Sequence, residues 1–242
     1  MGTDLALIQD WNFEASVMTK KEERELKKQQ KLEAEIERIQ GMLVYEREYG
    51  PQGILCGIDE VGRGPLAGPV VAGAVILPKD CQILYLNDSK KLTARRRELL
   101  YDEIMEKAVA VGIGVVSQEV IDDINILQST YEAMRQAVGK LSVCPDILLN
   151  DAVTIPGLPQ KQVPIIKGDA KSLSIAAASV VAKVTRDRMM EAMDAKYPEY
   201  GFASNKGYGS KAHMDALREY GPCPIHRRTF IRNICREQAE HE

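Results

Sequence analysis

The chain has 242 residues, 45% of them hydrophobic and 28% charged, and a formal net charge of −3. That is enough for one large domain or a domain with an appendage, and the balance is that of an ordinary globular protein rather than of a disordered or strongly basic one. No stretch is apolar for long enough to span a bilayer, and Met1-Gly2-Thr3-Asp4 does not open a secretory signal, so a membrane protein and an exported one are both excluded as expectations.

Residues 1–18 show little pattern, although Leu5, Ile8, Trp11 and Phe13 are spaced for a short docked helix. Thr19 to Tyr49 reads as helix, dense in good helix formers, with Leu32, Ile36, Ile39 and Leu43 as an apolar stripe at helical spacing. Glu23 and Lys27 form a favourable i,i+4 pair, and the segment is nearly charge-neutral, so a solvated helix that packs on the body is expected. Gly50-Pro51-Gln52-Gly53 closes it, dividing a helical extension (1–53) from the main domain (54–242).

Ile54–Leu77 is the stretch around which the main domain is organised. A strand from Ile54 to Ile58 delivers Asp59 and Glu60, then comes a Gly62-Arg63-Gly64-Pro65 turn, then a β-branched run that reads as a second strand. Two adjacent buried carboxylates repel each other, which favours protonation of one or a cation between them. Neighbouring strand residues point to opposite faces, so the pair is expected to share a site only where the backbone leaves the pleat. The plainer alternative is an acidic pair capping a hairpin. A glycine turn before a helix would suggest a dinucleotide site, but the strand expected after Gly68 argues against an organic cofactor.

Asn87-Asp88-Ser89-Lys90-Lys91-Leu92-Thr93 precedes a helix over 95–108, capped by Ser89 or Thr93. Next come a strand (109–117), a helix (118–140, with Ile121, Ile124, Leu127, Met134 and Val138 inward) and a strand (145–150), and Asp151 stands at the last strand's exit. Asp151 reads either as a site carboxylate or as an Asx-turn residue. A short strand ending at Lys167 leads to Gly168-Asp169 and a helix over about 170–193 rich in small residues, with Asp169 at its start as a site acid, an N-cap or both. Beyond Tyr197-Pro198 lie Asn205-Lys206-Gly207-Tyr208, a turn with an aromatic that suits stacking on a sugar or base, a helix (212–220), and Pro224-Ile225-His226-Arg227-Arg228, either a phosphate-contacting cluster or a loop ion-pair cluster.

Four acids without nearby His or Cys suit a hard cation, Mg²⁺ or Mn²⁺. The five cysteines are scattered, and Cys223-Pro-Ile-His226 has no second ligand pair, so reduced thiols in a cytoplasmic protein without zinc are expected. From 161 to 242 there are 14 Lys/Arg against 10 Asp/Glu, consistent with a phosphate-binding face or with an ordinary mixed surface.

The motifs Ile54–Leu77, Asn87 to Leu92, Lys167-Gly168-Asp169 with its helix, and Asn205 to Tyr208 closely resemble, in order, those of the type 2 ribonucleases H. The resemblance runs from Ile54 to Arg232 and implies an α/β fold: a ribonuclease-H-like mixed sheet flanked by helices, with C-terminal helices. It implies hydrolysis of the RNA strand of RNA–DNA hybrids, and incision 5′ to single ribonucleotides in duplex DNA, with two Mg²⁺ or Mn²⁺ ions held by Asp59, Glu60, Asp151 and Asp169. It implies substrate contacts from Gly62, Arg63, Gly64, Lys90, Lys91, Lys167, Tyr208, His226, Arg227 and Arg228, and a monomer is expected. The family usually has Gly after the third acid, where this chain has Ala152. The alternatives are type 3-like specificity, which Arg63 and the helical extension disfavour, and a hybrid-binding relative without catalysis.

Overall fold

The computed structural model describes residues 19–239; the docked helix expected within 1–18 lies outside them. Helix α1 (Lys20–Gly41) starts at a capping box in which Thr19 and Glu22 satisfy each other's free backbone N–H groups. A turn at Met42-Leu43 separates it from α2 (Val44–Tyr49). Only the last turns of α1 pack: Ile39, Met42 and Leu43 are buried, whereas Leu32 and Ile36 are exposed. The apolar stripe therefore docks at one end and projects at the other. The docked end is tied down by Arg38 donating to the Leu86 carbonyl (2.7 Å) and by Glu46 accepting from Ser172 Oγ and Ser174 N.

The body is a five-stranded mixed sheet in the order β3-β2-β1-β4-β5, built from β1 (Leu55–Val61), β2 (Val70–Ile76), β3 (Ala110–Val116), β4 (Ile147–Asp151) and β5 (Lys161–Ile165). The first three strands are antiparallel neighbours, and β4 and β5 join β1 in parallel. Helix α3 (Ala94–Lys107), capped by Thr93, leads into β3, and α4 (Gln118–Gly139) leads into β4. Helix α5 (Leu173–Asp194) comes after β5.

Side-chain alternation divides the sheet between two cores. Cys56, Ile58, Val70, Ala72 and Ala74 face α4, while Val75 and the opposite face meet α5, α3 and the end of α1. Helix α5 lies very close to the sheet. A Cβ on Gly73 would stand 2.6 Å from the Ala178 carbonyl oxygen, and one on Gly57 would collide with the Ser174 backbone. Helix α4 buries Ile121, Met134 and Val138 as expected but departs from the expected side in between. Asn125 is non-helical (φ 67°) and resets the phase, so Leu127 is exposed and Ser129, Thr130, Ala133 and Ala137 are buried instead. Among the described residues no helix is long and apolar enough to cross a membrane.

After α5 come three further helices, α6 (Phe202–Asn205), α7 (Lys211–Tyr220) and α8 (Arg228–Ala239), packed around Met190, Tyr200, Phe202 and Ile231. A buried relay runs through this lobe. Cys223 N–H donates to His226 Nδ1 (3.0 Å), so His226 carries its proton on Nε2 and donates to His213 Nε2 (2.9 Å). His213 is then protonated on Nδ1, which donates to the Tyr208 carbonyl (2.9 Å). Every ring nitrogen is used, and each ring must be neutral.

Burial first and His213 second pull His226 down to about 4 from 6.5. The unfolded chain therefore binds more protons between those pH values, and this contribution to stability is complete above pH 6.5 and lost as the pH falls toward 4. Denaturant midpoints measured at about pH 7, 5.5 and 4.5 should decline more steeply for the native protein than for His226→Gln. A second prediction concerns Ala152, which lies just after β4 in the left-handed region (φ 55°) while its N–H donates to Ile165 O. A Cβ there costs about 1 kcal/mol, so Ala152→Gly should raise stability by about that amount in equilibrium unfolding.

Candidate active site

Asp59 sits on the α5 face of β1 and is 6% exposed. Its Oδ1 accepts the Glu60 N–H (2.8 Å), and the Ser179 hydroxyl of α5 hydrogen-bonds to the same carboxylate. The backbone does not leave the pleat at this pair: the ladder to β2 continues through Asp59↔Gly73 and Glu60↔Ala72 to Val61↔Val71. The two acids share the end of the sheet rather than one face. Pairing of β1 with β4 stops at Ile58↔Asn150, which leaves the β4 edge of Asp59 and Glu60 open. Asp151, next along β4, acts electrostatically on both. Its own Oδ1 accepts the Gly168 N–H (2.7 Å), which fixes the turn that carries Asp169.

Asp169 is not the cap of α5. It lies in a 3-10 turn (Gly168–Ala170), and Ser172 caps the helix by accepting from Ile175 N. Asp169 is nearly buried, and its carboxyl is raised by burial, then by Asp88 and Asp151, against the pull of Lys90 and Lys91. Burial and then Glu60 raise Asp59 well above the usual carboxylate range, and burial raises Glu60 although Arg63 opposes it. Burial alone would lower Lys90, but Asp88, Asp59, Asp169 and Asp151 outweigh it and raise the ammonium. A cluster of acids that mutually disfavour ionisation, with all-oxygen donors, fits a hard divalent cation. Among the described residues no three acid, imidazole or thiol groups already form a cage, so the carboxylates line the sheet end without closing on one point.

The Lys90 loop is held from behind. Asp88 accepts Lys90 N–H, Arg97 donates to the Ser89 and Leu92 carbonyls, and the Ser89 and Ser179 hydroxyls share a 2.9 Å hydrogen bond. Lys91 is exposed beside it, and Lys167 adopts the left-handed conformation (φ 58°) just before Gly168. Asp88 lies within the Asn87–Leu92 motif without being marked there as a site acid, and Ser179 carries no distinguishing mark in the sequence. Each resembles an ordinary cap or small helix residue, and only the packing of α5 against the sheet brings them to Asp59 and Asp169.

The Gly62-Arg63-Gly64 turn lies beside Tyr208, which is 44% exposed: a Cβ on Gly64 would stand 3.9 Å from the tyrosine ring. Gly62 has φ +94°, and a Cβ there would lie 2.7 Å from the Pro69 carbonyl oxygen and against the Arg186 guanidinium, so no other residue fits. Arg63 is exposed, 3.4 Å from Glu60. Two of the expected phosphate contacts are corrected by burial. His226 is 1% exposed and spends its ring on the relay, and Arg227 is fully buried and donates to backbone carbonyls. Neither reaches a surface, whereas Arg228 is exposed.

A family model, Ribonuclease HII, matches residues 56–233. The Ribonuclease HII of Lachnoclostridium phytofermentans is 65% identical over 205 residues, 85% of this chain and 81% of the relative. That of Acetivibrio thermocellus is 55% identical over 210 residues, 86% of this chain and 82% of the relative. Among solved structures, the ribonuclease H2 of Pyrococcus horikoshii superposes with a TM-score of 0.65 at 29% identity, covering 77% of this chain and 99% of that one. The family model spans most of the chain and the curated relatives are more than half identical to it over most of their length, and the chain therefore belongs to the ribonuclease HII family as a hydrolytic endoribonuclease of the ribonuclease H type.

Proposed function

We propose that this enzyme hydrolyses the RNA strand of RNA–DNA hybrids and incises duplex DNA on the 5′ side of a single embedded ribonucleotide, leaving 5′-phosphate and 3′-hydroxyl ends. The observation that carries the reading is the adjacency of two unlike elements. A glycine turn able to approach a sugar closely lies against an exposed tyrosine ring at the sheet end that carries the four acids.

Asp59, Glu60, Asp151 and Asp169 would hold two divalent ions, Mg²⁺ or Mn²⁺. When bound, such ions lower the pKa of water and neutralise charge developing on a phosphodiester. The chain's own residues bind and orient. Lys90, raised by the surrounding acids, keeps its charge and offers it to a backbone phosphate at the edge of the acid cluster. Lys91, Lys167 and Arg228 extend the phosphate contacts outward. Gly62, Arg63 and Gly64 approach the ribose 2′-hydroxyl, the only local feature that separates RNA from DNA, and Tyr208 packs on the next deoxyribose. Coupling the reader of one sugar to a platform for the next selects the RNA–DNA junction. We infer a monomer for this action.

On a DNA duplex carrying one ribonucleotide, purified protein should give a single nick 5′ to it with Mg²⁺ or Mn²⁺ and none with EDTA. Asp59→Asn should lower the rate by about 10³-fold or more, roughly 4 kcal/mol of barrier. Because Asp59 destabilises the free protein by its repulsion and burial, the same variant should melt no lower than the native protein in EDTA. Retained cleavage in Asp59→Asn would sink the acid assignment. Tyr208→Ala should cost about 10-fold or more at the junction, in keeping with roughly 1–3 kcal/mol for a stacked contact, and less on a uniform hybrid. Equal losses on the two substrates would count against the junction role.

A further inference from the structure

We propose that Arg227 and Arg186 are positioning residues that aim the Gly62–Gly64 turn at the ribose, giving it two free backbone N–H donors. The inference rests on the ribose-reading role of that turn and names the device behind it.

Both guanidiniums are fully buried. Among the described residues neither makes a hydrogen bond or an ion pair with a carboxylate; the acid nearest in effect to Arg227, Asp122, is occupied by the Arg228 and Thr229 N–H groups. Their donors go instead to carbonyls of the segment around the turn. Arg227 Nη2 reaches Gly62 O (2.5 Å) and Gly68 O (2.8 Å), Nη1 reaches Arg63 O (2.9 Å) and Nε reaches Gly68 O (3.0 Å). Arg186 takes Pro69 O (2.9 Å), Ala67 O (3.0 Å) and, across the lobe, Lys206 O (2.8 Å).

A buried charge without a counter-charge is a poor way to gain stability. Its effect on the turn is specific. In a trans peptide the C=O and N–H point in opposite directions. With the Gly62 carbonyl held by Arg227, the Arg63 N–H must point away from it. With the Arg63 carbonyl held likewise, the Gly64 N–H does the same. Among the described residues neither N–H has an acceptor, whereas Leu66 N donates to Gly207 O and Gly68 N to Ile225 O. Two consecutive open donors therefore stand beside the Tyr208 ring, with two positive charges behind them.

The ligand chemistry this fits is a sugar hydroxyl acting as acceptor. A deoxyribose would leave the donors unmatched, and an unmatched polar site discriminates strongly against the analogue lacking the partner. Lysine cannot replace the fork, because one ammonium cannot span carbonyls on both sides of the turn.

The test is binding rather than cleavage. Fluorescence anisotropy in EDTA would compare a DNA duplex bearing one ribonucleotide with the same all-DNA duplex, between about 50 and 200 mM salt, for the native protein, Arg227→Lys and Arg186→Lys. Thermal melting would be run alongside. The native protein should prefer the ribonucleotide duplex. Each variant should lose about 10-fold of that preference while its all-DNA affinity and its salt dependence stay within about twofold of native. A preserved preference in a folded Arg227→Lys overturns the proposal. So does a salt slope smaller by about one, which would mark a direct phosphate contact. So does an equal loss on both duplexes with a lowered melting temperature, which would mark a merely structural role. If Arg227→Lys does not fold, Arg186→Lys is read by the same criteria. In the native protein, amide exchange at Arg63 and Gly64 should slow with the ribonucleotide duplex and not with DNA; exchange already slow in the free protein overturns the proposal. No preference in the native protein would instead refute the ribose-reading role of the turn itself.

Discussion

The close seating of α5 on the sheet is the constraint on which the rest depends. Glycines in β1 and β2 let the helix backbone come into contact with the strands, so the position of α5 along β1 is set by main chain rather than by adaptable side chains. Three functional elements are indexed by that one register. The turn bearing Asp169 stands just before its first residue, Ser179 in its second turn meets Asp59 and Ser89, and Arg186 further along grips the segment after the glycine turn. A shift of α5 by one residue would detach Asp169, the Lys90 loop and the glycine turn together.

Charge is distributed in two opposed reserves around this helix. At one place carboxylates crowd until burial and mutual repulsion raise Asp59, Glu60 and Asp169. At the other, two buried guanidiniums lie behind the turn, and burial first and Arg186 next lower Arg227 to about 9, which leaves it charged at neutral pH. In the proposed function the two reserves serve different parts of one phosphodiester, the acids a cation and the arginines the turn that would meet the sugar. Stability and function pull in opposite directions at both.

The C-terminal lobe shows how a basic motif can be turned inward. Ile225-His226-Arg227-Arg228 looks like a basic patch, and basic patches usually face solvent. Here the isolated bridge between Ala67 and His226 draws the segment under the glycine turn, so His226 and Arg227 become interior supports and Arg228 alone stays outside. The His213–His226 relay ends on the Tyr208 carbonyl, so the aromatic platform is held by the same buried segment that holds the turn.

Much of the fold could be read from local chemistry. Strand-formers around Asp59, the Thr93 cap, the break at Tyr197-Pro198 and the small-residue face of α5 each act over a few residues, and all appear where the pattern places them. The four acids stand out by the order of the motifs that carry them, since a carboxylate at a strand exit is by itself an ordinary turn residue. What the sequence alone did not determine lies between segments far apart in the chain. The kink at Asn125 turned Leu127 outward, only half of the α1 stripe found a surface to cover, and Asp88 and Ser179 entered the site through the packing of α5. The burial of Arg227 was likewise decided by tertiary structure, because a guanidinium is equally content on a phosphate or on a set of main-chain carbonyls, and only the folded chain determines which of them lies within reach.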